Sequence, residues 1–395
     1  MPGSASSVAL ADFALFDGGP FSKFQAALGL AGTEHRHVRR NIIVAVLLTW
    51  VPLAVLAAIQ GRAIALDWHK SMLLDVAMYA RFLVALPLLI AATPGLRRRL
   101  QTVVPQFLEA ELVKEPERRQ FLANVTAMLR WRDSFIAAAV LVLLAAGQTA
   151  AYGMGTSAGM PGSWRYLDVE GGRHLSLAGL WLLAISHPLY QLVVLQFLYR
   201  LLLWWLFLWR TSRLDLDLNA AHPDGAGGLA FLAMVFTPFR LPLFAIAASA
   251  AGALANLILW TGAPFMDFKT AIGACVAVQV ALVAGPLLFF GAQLRQVRNR
   301  GMLSFSASAG RQLRAFKEKW LTANPPAPSE MLCAPDFSAV SGYGQTAAVA
   351  KMSKLPFSPR QLMPLIVAAL LPFLPVAAMQ IPLKEILAQV WKLIA

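Results

Sequence analysis

Charged residues are scarce in this chain of 395 residues. Asp, Glu, Lys and Arg make up 14% of it, whereas an average soluble domain carries roughly 25%, so a soluble protein of this length is nearly excluded. Cysteine is scarcer still, since only Cys275, in an apolar run, and Cys333, in a polar segment, are present. Two cysteines so placed indicate free thiols and exclude a disulfide framework or a cysteine-based zinc site.

Several signatures of catalysis are missing as well. The sequence has no P-loop, no nucleophile elbow and no flavin or nicotinamide fingerprint. We therefore expect no cofactor and assign no catalytic residue, and an enzyme is the less favoured class. The N-terminus, MPGSASSVALADFALF, lacks a basic region leading into a short apolar stretch. A cleaved secretory signal is therefore not expected, and the first span would direct insertion.

Apolar residues, in contrast, make up 58% of the chain. They form seven runs close to the length of about 20 residues that a helix needs to cross a bilayer. Continuous apolar runs favour helices over the alternating strands of a membrane barrel. The sequence thus predicts an all-α, polytopic transmembrane helical bundle of about seven spans, at 41–60, 72–93, 134–152, 175–199, 241–262, 270–292 and 362–381.

The last of these spans is interrupted by proline. Pro364, Pro372 and Pro375 each remove a helix donor and favour a kink. Six spans plus a re-entrant segment are therefore an alternative, with the C-terminus then on the cytoplasmic side. Beyond this segment, residues 382–395 place their apolar side chains on one helical face and predict an amphipathic helix.

The formal net charge of +14 is unevenly distributed along the chain. With the N-terminus in the cytoplasm, 26 Lys and Arg residues fall on the cytoplasmic side and 7 on the other. This asymmetry follows the positive-inside rule, so the topology of the chain explains most of the positive charge. It also removes the need for nucleic acid as a partner. The lipid bilayer is the expected partner, with anionic headgroups as a further candidate.

Four regions follow from these predictions. They are a cytoplasmic N-terminal segment at 1–40, a six-helix bundle at 41–292 with a cytoplasmic helical loop at 94–133, a cytoplasmic helix and linker at 293–361, and a last span with an amphipathic helix at 362–395. The loop at 94–133 reads as a pair of helices, the second beginning at Pro116. Amphipathic spacing predicts a further helix at 306–321. None of these segments is large enough to be an independent catalytic domain.

Ionisable residues inside the apolar runs are the first candidate site. Asp75 and Arg81 lie in the second run, and His187 and Gln191 share one face of the fourth. Because Asp75 and Arg81 are about 120° apart around a helix, Arg81 requires a partner from another helix. The functional interpretation is a path for a solute or a proton. The structural alternative is that these groups hold the helices together.

Small residues recur at every fourth position in two runs. The sixth contains Gly273, Ala277, Ala281 and Gly285. The fifth contains Ala248 and Gly252, followed by Asn256. Such stripes let helix backbones approach closely, either within one chain or between subunits, so a homo-oligomer is a candidate assembly.

Aromatic and basic residues alternate at the end of the fourth run. In YRLLLWWLFLWRTSR, three tryptophans are interleaved with Arg200, Arg210 and Arg213. This composition is typical of a helix that continues into the headgroup region. The alternatives are a specific site for a lipid headgroup and an ordinary interfacial belt.

The polar stretch LDLDLNAAHPDGAGGL follows directly. Oxygen and nitrogen ligands for a divalent cation, and glycine amides for an anion, could come from this stretch. In the structural alternative, Pro223 and the glycines form a tight connection and Asp224 caps the next helix. No metal is assigned, because the spacing matches no zinc motif. The candidates for a cytoplasmic mouth are Arg213, Asp215, Asp217, His222, Asp224, Gly227 and Gly228.

Three stretches together resemble a known family. They are WRTSRLDLDLNAAHPDGAGGLAFL, RFLVALPLLI around Arg81, and KLPFSPRQL leading into LLPFLP. They are similar to an uncharacterised family of polytopic bacterial inner-membrane proteins with an SRLDL and HPDxAGGL motif, from about Trp50 onward. The resemblance implies no established activity, so no functional residue is carried over. Residues 338–354 are poorer in acidic residues than the family pattern.

Three functions are compatible with these features. The leading hypothesis is a channel or transporter for a small solute or ion, with Arg81 and His187 lining its route and HPDGAGGL closing its cytoplasmic mouth. The second is a scaffold or sensor whose basic face binds anionic lipid or a cytoplasmic partner. The third is a metal-dependent membrane enzyme acting on a lipid or a phosphorylated substrate.

Overall fold

A computed structural model describes residues 13, 15–16, 18–20, 35–65, 71–159, 163–169, 172–321, 349 and 352–380. Several sequence predictions lie outside these residues. They are the C-terminal amphipathic helix at 382–395, the linker at 324–329, Cys333 and most of the 338–354 segment.

Seven helical segments in the described part of the chain are long and apolar enough to cross a membrane, so the predicted all-α bundle of about seven spans is confirmed. The protein is an integral membrane protein whose apolar helices contact lipid. We number the spans 1 to 7: His37–Ile59, Val76–Glu109, Phe135–Gly155, Leu177–Thr211, Ala230–Thr261, Phe265–Lys319 and Pro359–Ala378.

Most spans combine several helical elements. Span 1 is α1 (His35–Thr49) and α2 (Val51–Ile59). A 3₁₀ turn (Met72–Leu74) precedes span 2, which is α3 (Val76–Met78), a π-helix (Tyr79–Ala85) and α4 (Leu86–Glu109). After α5 (Glu115–Arg132), span 3 is α6 (Phe135–Gly159). Span 4 is α7 (Leu177–Trp181), a second π-helix (Leu182–Ser186) and α8 (His187–Thr211).

The last three spans contain 3₁₀ turns. Span 5 is a 3₁₀ turn (Ala230–Val235) and α9 (Phe236–Thr261). Span 6 is a 3₁₀ turn (Phe265–Phe268), α10 (Lys269–Ala284), another 3₁₀ turn (Gly285–Phe290) and α11 (Gly291–Trp320). Span 7 is α12 (Pro359–Leu370), a 3₁₀ turn (Leu371–Phe373) and α13 (Leu374–Ala378).

A short antiparallel hairpin interrupts the helical pattern between spans 3 and 4. Its strands are β1 (Tyr166–Val169) and β2 (Gly172–Leu175), and Tyr166 pairs with Leu175. We call the end of the bundle with this hairpin the hairpin end. The opposite end, which carries α5 and the loop at 212–229, is called the basic end.

Span 7 runs the full height of the bundle. Just before it, the amide of Ser353 donates to Gly225 O at the basic end (2.7 Å). Just after it, Gln380 Oε1 accepts from the amide of Phe265 at the hairpin end (2.6 Å). The segment therefore crosses the bundle in spite of its prolines rather than turning back part-way.

Several boundaries differ from the sequence prediction. The helix of span 2 continues to Glu109, so the first member of the predicted helical pair is the end of a span. The second member is present as α5, with Phe121 and Met128 buried. Span 4 continues to Thr211, as the aromatic and basic sequence predicted. The predicted helix at 306–321 is the last part of α11 and is continuous with span 6.

Close backbone packing joins spans 2 and 5. A Cβ atom added at Gly252 would lie 2.4 Å from Ala80 Cβ. Ala248 and Asn256 on the same stripe are also buried. The small residues of span 5 thus act within one chain. In span 6, Gly273 has open space around it, whereas Gly285 packs against the Trp205 ring.

Candidate functional site

Asp75 is the first residue of the site and lies at the hairpin end. It is the N-cap of α3, and its Oδ1 accepts from the amide of Met78 at 3.3 Å. Its other partners come from distant segments. Oδ2 accepts from Trp164 Nε1 and from an Nη of Arg165, each at 2.9 Å, and Oδ1 accepts from Asn256 Nδ2 at 2.6 Å. This carboxylate therefore ties together span 2, span 5 and the segment before the hairpin.

Arg165 forms a buried ion pair with Asp75. The side chains are 6% and 7% exposed, respectively. The position of Arg165 is set by its neighbours, because an Nη of Arg62 donates to the carbonyl oxygen of Tyr166 at 2.5 Å. The hydroxyl of Tyr166 in turn donates to Gly153 O of span 3. These two hydrogen bonds fix the short loop before the hairpin. The Arg165 guanidinium therefore enters the bundle from its hairpin end.

Arg81 lies in the second turn of span 2, about 8 Å along the helix from Val76. Its Cζ is 5.4 Å from the centre of the Tyr152 ring and 5.7 Å from the centre of the Tyr190 ring, distances typical of cation–π contacts. Its Nε and one Nη are buried and have no hydrogen-bond partner among the described residues. Among the described residues, Arg81 thus contacts two aromatic rings from other helices and no carboxylate.

His187 completes the site from span 4. Its side chain is 3% exposed, and its ring stacks on Tyr152 with 4.3 Å between ring centres and 13° between planes. Nδ1 is 3.0 Å from the hydroxyl of Thr149 on span 3, which also donates to Ala145 O. Because the single hydrogen of that hydroxyl is donated to the carbonyl, Nδ1 of His187 is the donor to the hydroxyl oxygen. The imidazole is therefore fixed by this hydrogen bond and by its stacking on Tyr152.

We refer to Arg81, Tyr152, Arg165 and His187 as the Arg81 cluster. The Arg165 guanidinium also lies 5.6 Å from the centre of the Tyr152 ring, so two guanidinium groups and an imidazole contact one phenol ring. Asp75 is the carboxylate bonded to this cluster. Two guanidinium charges against one carboxylate leave an excess positive charge within the bundle.

Both π-helical segments of the described chain adjoin this cluster. One contains Arg81 and the other ends immediately before His187. A π-helical turn widens the helix and is found frequently at functional sites. It also changes which residues share a face, so the sequence rule for i and i+4 neighbours does not hold through these turns.

A groove runs beside the cluster between spans 3 and 4. Its volume is about 910 Å³, and Thr149, which contacts His187, forms part of its wall. Small or apolar side chains make up nearly all of the lining, and Val142 and Met154 at its two ends are 47% and 68% exposed. The lining includes Ala145, Ala146, Ala150, Gly153, Ala184, Leu189 and Leu192.

The structure thus brings together part of the intramembrane set that the sequence selected. Arg81 and His187 contact the same tyrosine, whereas Asp75 binds Arg165 at the edge of the site. Gln191 is partly buried one turn beyond His187. Sequence reasoning missed Tyr152, Arg165, Trp164 and Tyr190. The sequence analysis counted Arg165 among the basic residues of a loop outside the spans. The aromatic residues beside it in SWRY were the only feature of the sequence that indicated burial of its side chain.

The second candidate, at the basic end, is a folded loop. Asp224 Oδ1 accepts from the amides of Ala226 (2.8 Å) and Gly228 (3.1 Å), and Oδ2 accepts from the amide of Ala230 (3.0 Å). Burial disfavours ionisation of Asp224, but these backbone hydrogen bonds outweigh burial and hold its pKa below the usual value. His222 Nδ1 lies 2.8 Å from the same carboxylate. The Asp224 carboxylate therefore organises its own loop.

The glycines of this motif have a steric role. Gly227 and Gly228 have φ angles of +67° and +99°, which side chains rarely tolerate. A Cβ atom at Gly227 would also meet Met352, and one at Gly228 would meet Leu112. The loop thus fits between the segment before span 7 and the segment after span 2.

Asp215 and Asp217, the other acidic residues of the motif, contact the segment after span 2 and not Asp224. Asp215 forms an exposed ion pair of 2.5 Å with Lys114, and its hydrogen bond raises the pKa of Lys114. The amide of Asp217 donates to Leu112 O. Within the described ranges, no group of three or more His, Cys, Asp or Glu residues is arranged to hold a metal ion.

At the end of span 4, arginine side chains contact tryptophan rings, an arrangement typical of an interfacial belt. The Cζ of Arg210 lies 5.2 Å from the centre of the Trp131 ring, and that of Arg213 lies 5.5 Å from the Trp209 ring. Trp204, in contrast, is fully buried. Arg213, in the turn after α8, thus contacts a tryptophan of that helix.

Comparisons of the chain with protein-family models, with curated proteins and with solved structures find no significant match. The resemblance to an uncharacterised inner-membrane family therefore stays a prediction from the motifs.

Proposed function

We propose that this integral membrane protein binds a small anion at the Arg81 cluster and moves it across the bacterial inner membrane, as a member of the family that its motifs resemble. The observation that carries the proposal is the Arg81 guanidinium. Two of its nitrogens are buried without a hydrogen-bond partner among the described residues, although such donors are normally satisfied in folded proteins.

Charge supports an anion rather than a cation. Placing an arginine in a membrane helix costs free energy, up to about 2.5–3.5 kcal/mol at the helix centre on insertion scales, and the charge requires compensation also in the second turn, where Arg81 lies. Asp75 compensates one guanidinium through its bond to Arg165, and the aromatic rings around Arg81 compensate a second charge only in part. A carboxylate or phosphate at Arg81 would supply both the missing acceptors and the missing negative charge, because guanidinium groups bind these anions in a fork geometry.

Orientation of the chain is part of the proposal. The basic end would face the cytoplasm under the positive-inside rule, which places the N-terminus there and the Arg81 cluster near the periplasmic surface. An anion arriving from outside would then meet the cluster within the first turns of spans 2 and 4.

A second candidate function is a membrane scaffold or sensor. The observation that favours it is α11, whose exposed C-terminal part carries Arg311, Arg314, Lys317 and Lys319. A basic helix at this end would attract anionic lipid or an acidic partner.

The proposal is tested with methyl phosphate as the probe anion. We expect wild-type protein in phosphatidylcholine nanodiscs to bind it and proteoliposomes to accumulate it, and Arg81→Leu to lower the affinity at least about tenfold, or about 1.4 kcal/mol. Arg81→Lys should retain part of the binding, because it keeps the charge but loses the fork. The matched control is Arg240→Leu at an exposed arginine of span 5, which should bind as wild type does.

Folding is checked independently by gel filtration and thermal unfolding. Equal binding and flux in wild type and folded Arg81→Leu would contradict the proposal. Two results together would favour the scaffold. Binding to anionic vesicles would be lost only when the basic residues of α11 are neutralised, and no variant would show flux.

A further inference from the structure

The groove between spans 3 and 4 lies directly beside the Arg81 cluster. Thr149 connects the two, since its side chain lines the groove and its hydroxyl contacts Nδ1 of His187 in the cluster. Tyr166 also lines the groove and is the residue next to Arg165. The apolar groove and the positively charged cluster therefore share a wall.

The dimensions of the groove correspond to one leaflet of a bilayer. Along span 3 it extends from Val142 to Met154, which is about 18 Å of helix. One leaflet of the hydrocarbon core is about 15 Å thick, half of about 30 Å. The groove begins at the hairpin end and stops part-way through the bundle, so it matches the depth of a single acyl chain. Its volume of about 910 Å³ lies within the range of about 300–1,000 Å³ that is usual for ligand sites.

The groove is also continuous with the surface that contacts lipid. Span 3 is peripheral, and its side chains Phe135, Ile136 and Leu143 are more than 70% exposed. Val142 and Met154 at the two ends of the groove are exposed on the same helix. A chain could therefore enter sideways from the bilayer without passing through water.

From this juxtaposition we infer that the anion bound at the Arg81 cluster is an amphiphile whose acyl chain occupies the groove. The inference rests on the proposed function for its headgroup and adds the chemical class of the ligand. Charge complementarity and lateral access from lipid select an anionic lipid or fatty-acid-like molecule over a water-soluble solute. The groove holds the chain by close van der Waals packing, which also drives association within lipid. The selectivity for the headgroup comes from Arg81.

The test compares two phosphate monoesters with the same headgroup. Methyl phosphate reports the cluster alone, and dodecyl phosphate reports the cluster and the groove. Binding is measured on purified protein in phosphatidylcholine nanodiscs, with empty nanodiscs subtracted. Wild-type protein is expected to bind dodecyl phosphate at least about tenfold more tightly than methyl phosphate after correction for partition into the bilayer.

Variants that fill the groove separate its role from that of the cluster. Ala146→Trp and Ala150→Trp place a large ring in the groove, whereas Ala139→Trp places the same ring on the exposed face of the same helix. We expect the two groove variants to lower the affinity for dodecyl phosphate at least about tenfold and to leave methyl phosphate binding unchanged. Ala139→Trp should change neither, and Arg81→Leu should weaken both.

The outcomes distinguish the two proposals. If the groove variants bind dodecyl phosphate as wild type does while Arg81→Leu loses methyl phosphate, the inference is wrong and the proposed function stands. If the groove variants lose dodecyl phosphate while Arg81→Leu changes neither ligand, the proposed anion site is wrong and the groove binds chains without it. Cross-linking of Met154→Cys between two copies, abolished by Ala146→Trp, would show that a helix of a second copy fills the groove and would overturn the inference.

Discussion

Asp75 and Arg165 form a buried ion pair although 90 positions separate them in the chain. Asp75 caps the first turn of span 2, and Arg165 precedes the hairpin between spans 3 and 4. The pair therefore joins the hairpin to the helix that carries Arg81. Its loss would affect both the stability of the hairpin end and the balance of charge around Tyr152.

We expect Asp75→Ala to lower the free energy of unfolding by about 3–5 kcal/mol, because it leaves a buried guanidinium without its carboxylate. The double variant Asp75→Leu and Arg165→Met should lose less than Asp75→Ala alone, since no uncompensated charge is then buried. Unfolding in mixed micelles, followed by tryptophan fluorescence, measures both. Asp267→Asn, an exposed carboxylate at the same end, serves as the control. A double variant less stable than Asp75→Ala would show that the pair stabilises the bundle beyond charge compensation.

The contact between spans 2 and 5 gives a second prediction. Gly252→Val would force side-chain atoms into the space held by Ala80, and overpacking of this kind costs about 1–3 kcal/mol. Gly273→Val is the matched control, because nothing lies within 4 Å of a Cβ atom at Gly273. Thermal unfolding in detergent should separate the two variants. If Gly273→Val were the more damaging of the two, the open face of span 6 would be covered by another copy of the chain.

The loop around Asp224 should lose stability in acid. Its pKa is lowered in the folded state, so the carboxylate contributes stability above its usual pKa of 3.8, and this contribution is lost as the pH falls through the folded value. Protection of the Ala226, Gly228 and Ala230 amides from hydrogen exchange should therefore be constant from neutral pH down to about pH 5 and decrease as the pH falls further, after correction for the intrinsic exchange rate.

The variant Asp224→Asn provides the comparison. It removes the charge but retains an acceptor, so we expect lower protection at neutral pH, by about 1–2 kcal/mol, and little further change in acid. Equal protection of these amides in wild type and variant at all pH values would mean that Asp224 does not organise the loop.

The sequence predicted the spans because each apolar run has to satisfy its own backbone in lipid. It also identified the stripe containing Gly252 and the helical continuation of span 4, since both depend on local composition. It did not predict that span 2 begins at Val76 and continues to Glu109. Charged residues such as Arg97 and Arg98 appeared to end the span, but a helix continues into water without any change in backbone hydrogen bonding.

The candidate site was harder to predict. The partners of Arg81 depend on which faces of spans 3 and 4 meet it, and two π-helical turns alter those faces. In the sequence, nothing distinguishes Tyr152 and Tyr190 from other residues of apolar helices. Their role becomes visible only from the position of the Arg81 guanidinium over their rings. The role of Arg165 depends on a loop geometry that is held by Arg62, which hydropathy does not encode.

The π-helical turn at Tyr79–Ala85 fixes an angular offset between the two halves of span 2. If all seven residues of this stretch formed an ordinary α-helix instead, one half of the span would rotate relative to the other by about 100°. Asp75 and Ala80 would then no longer face span 5 while the remainder of the helix kept its contacts. Loss of the π-helical turn without loss of a residue should thus uncouple the hairpin end from the basic end, even though every side chain of the Arg81 cluster is still present in the chain.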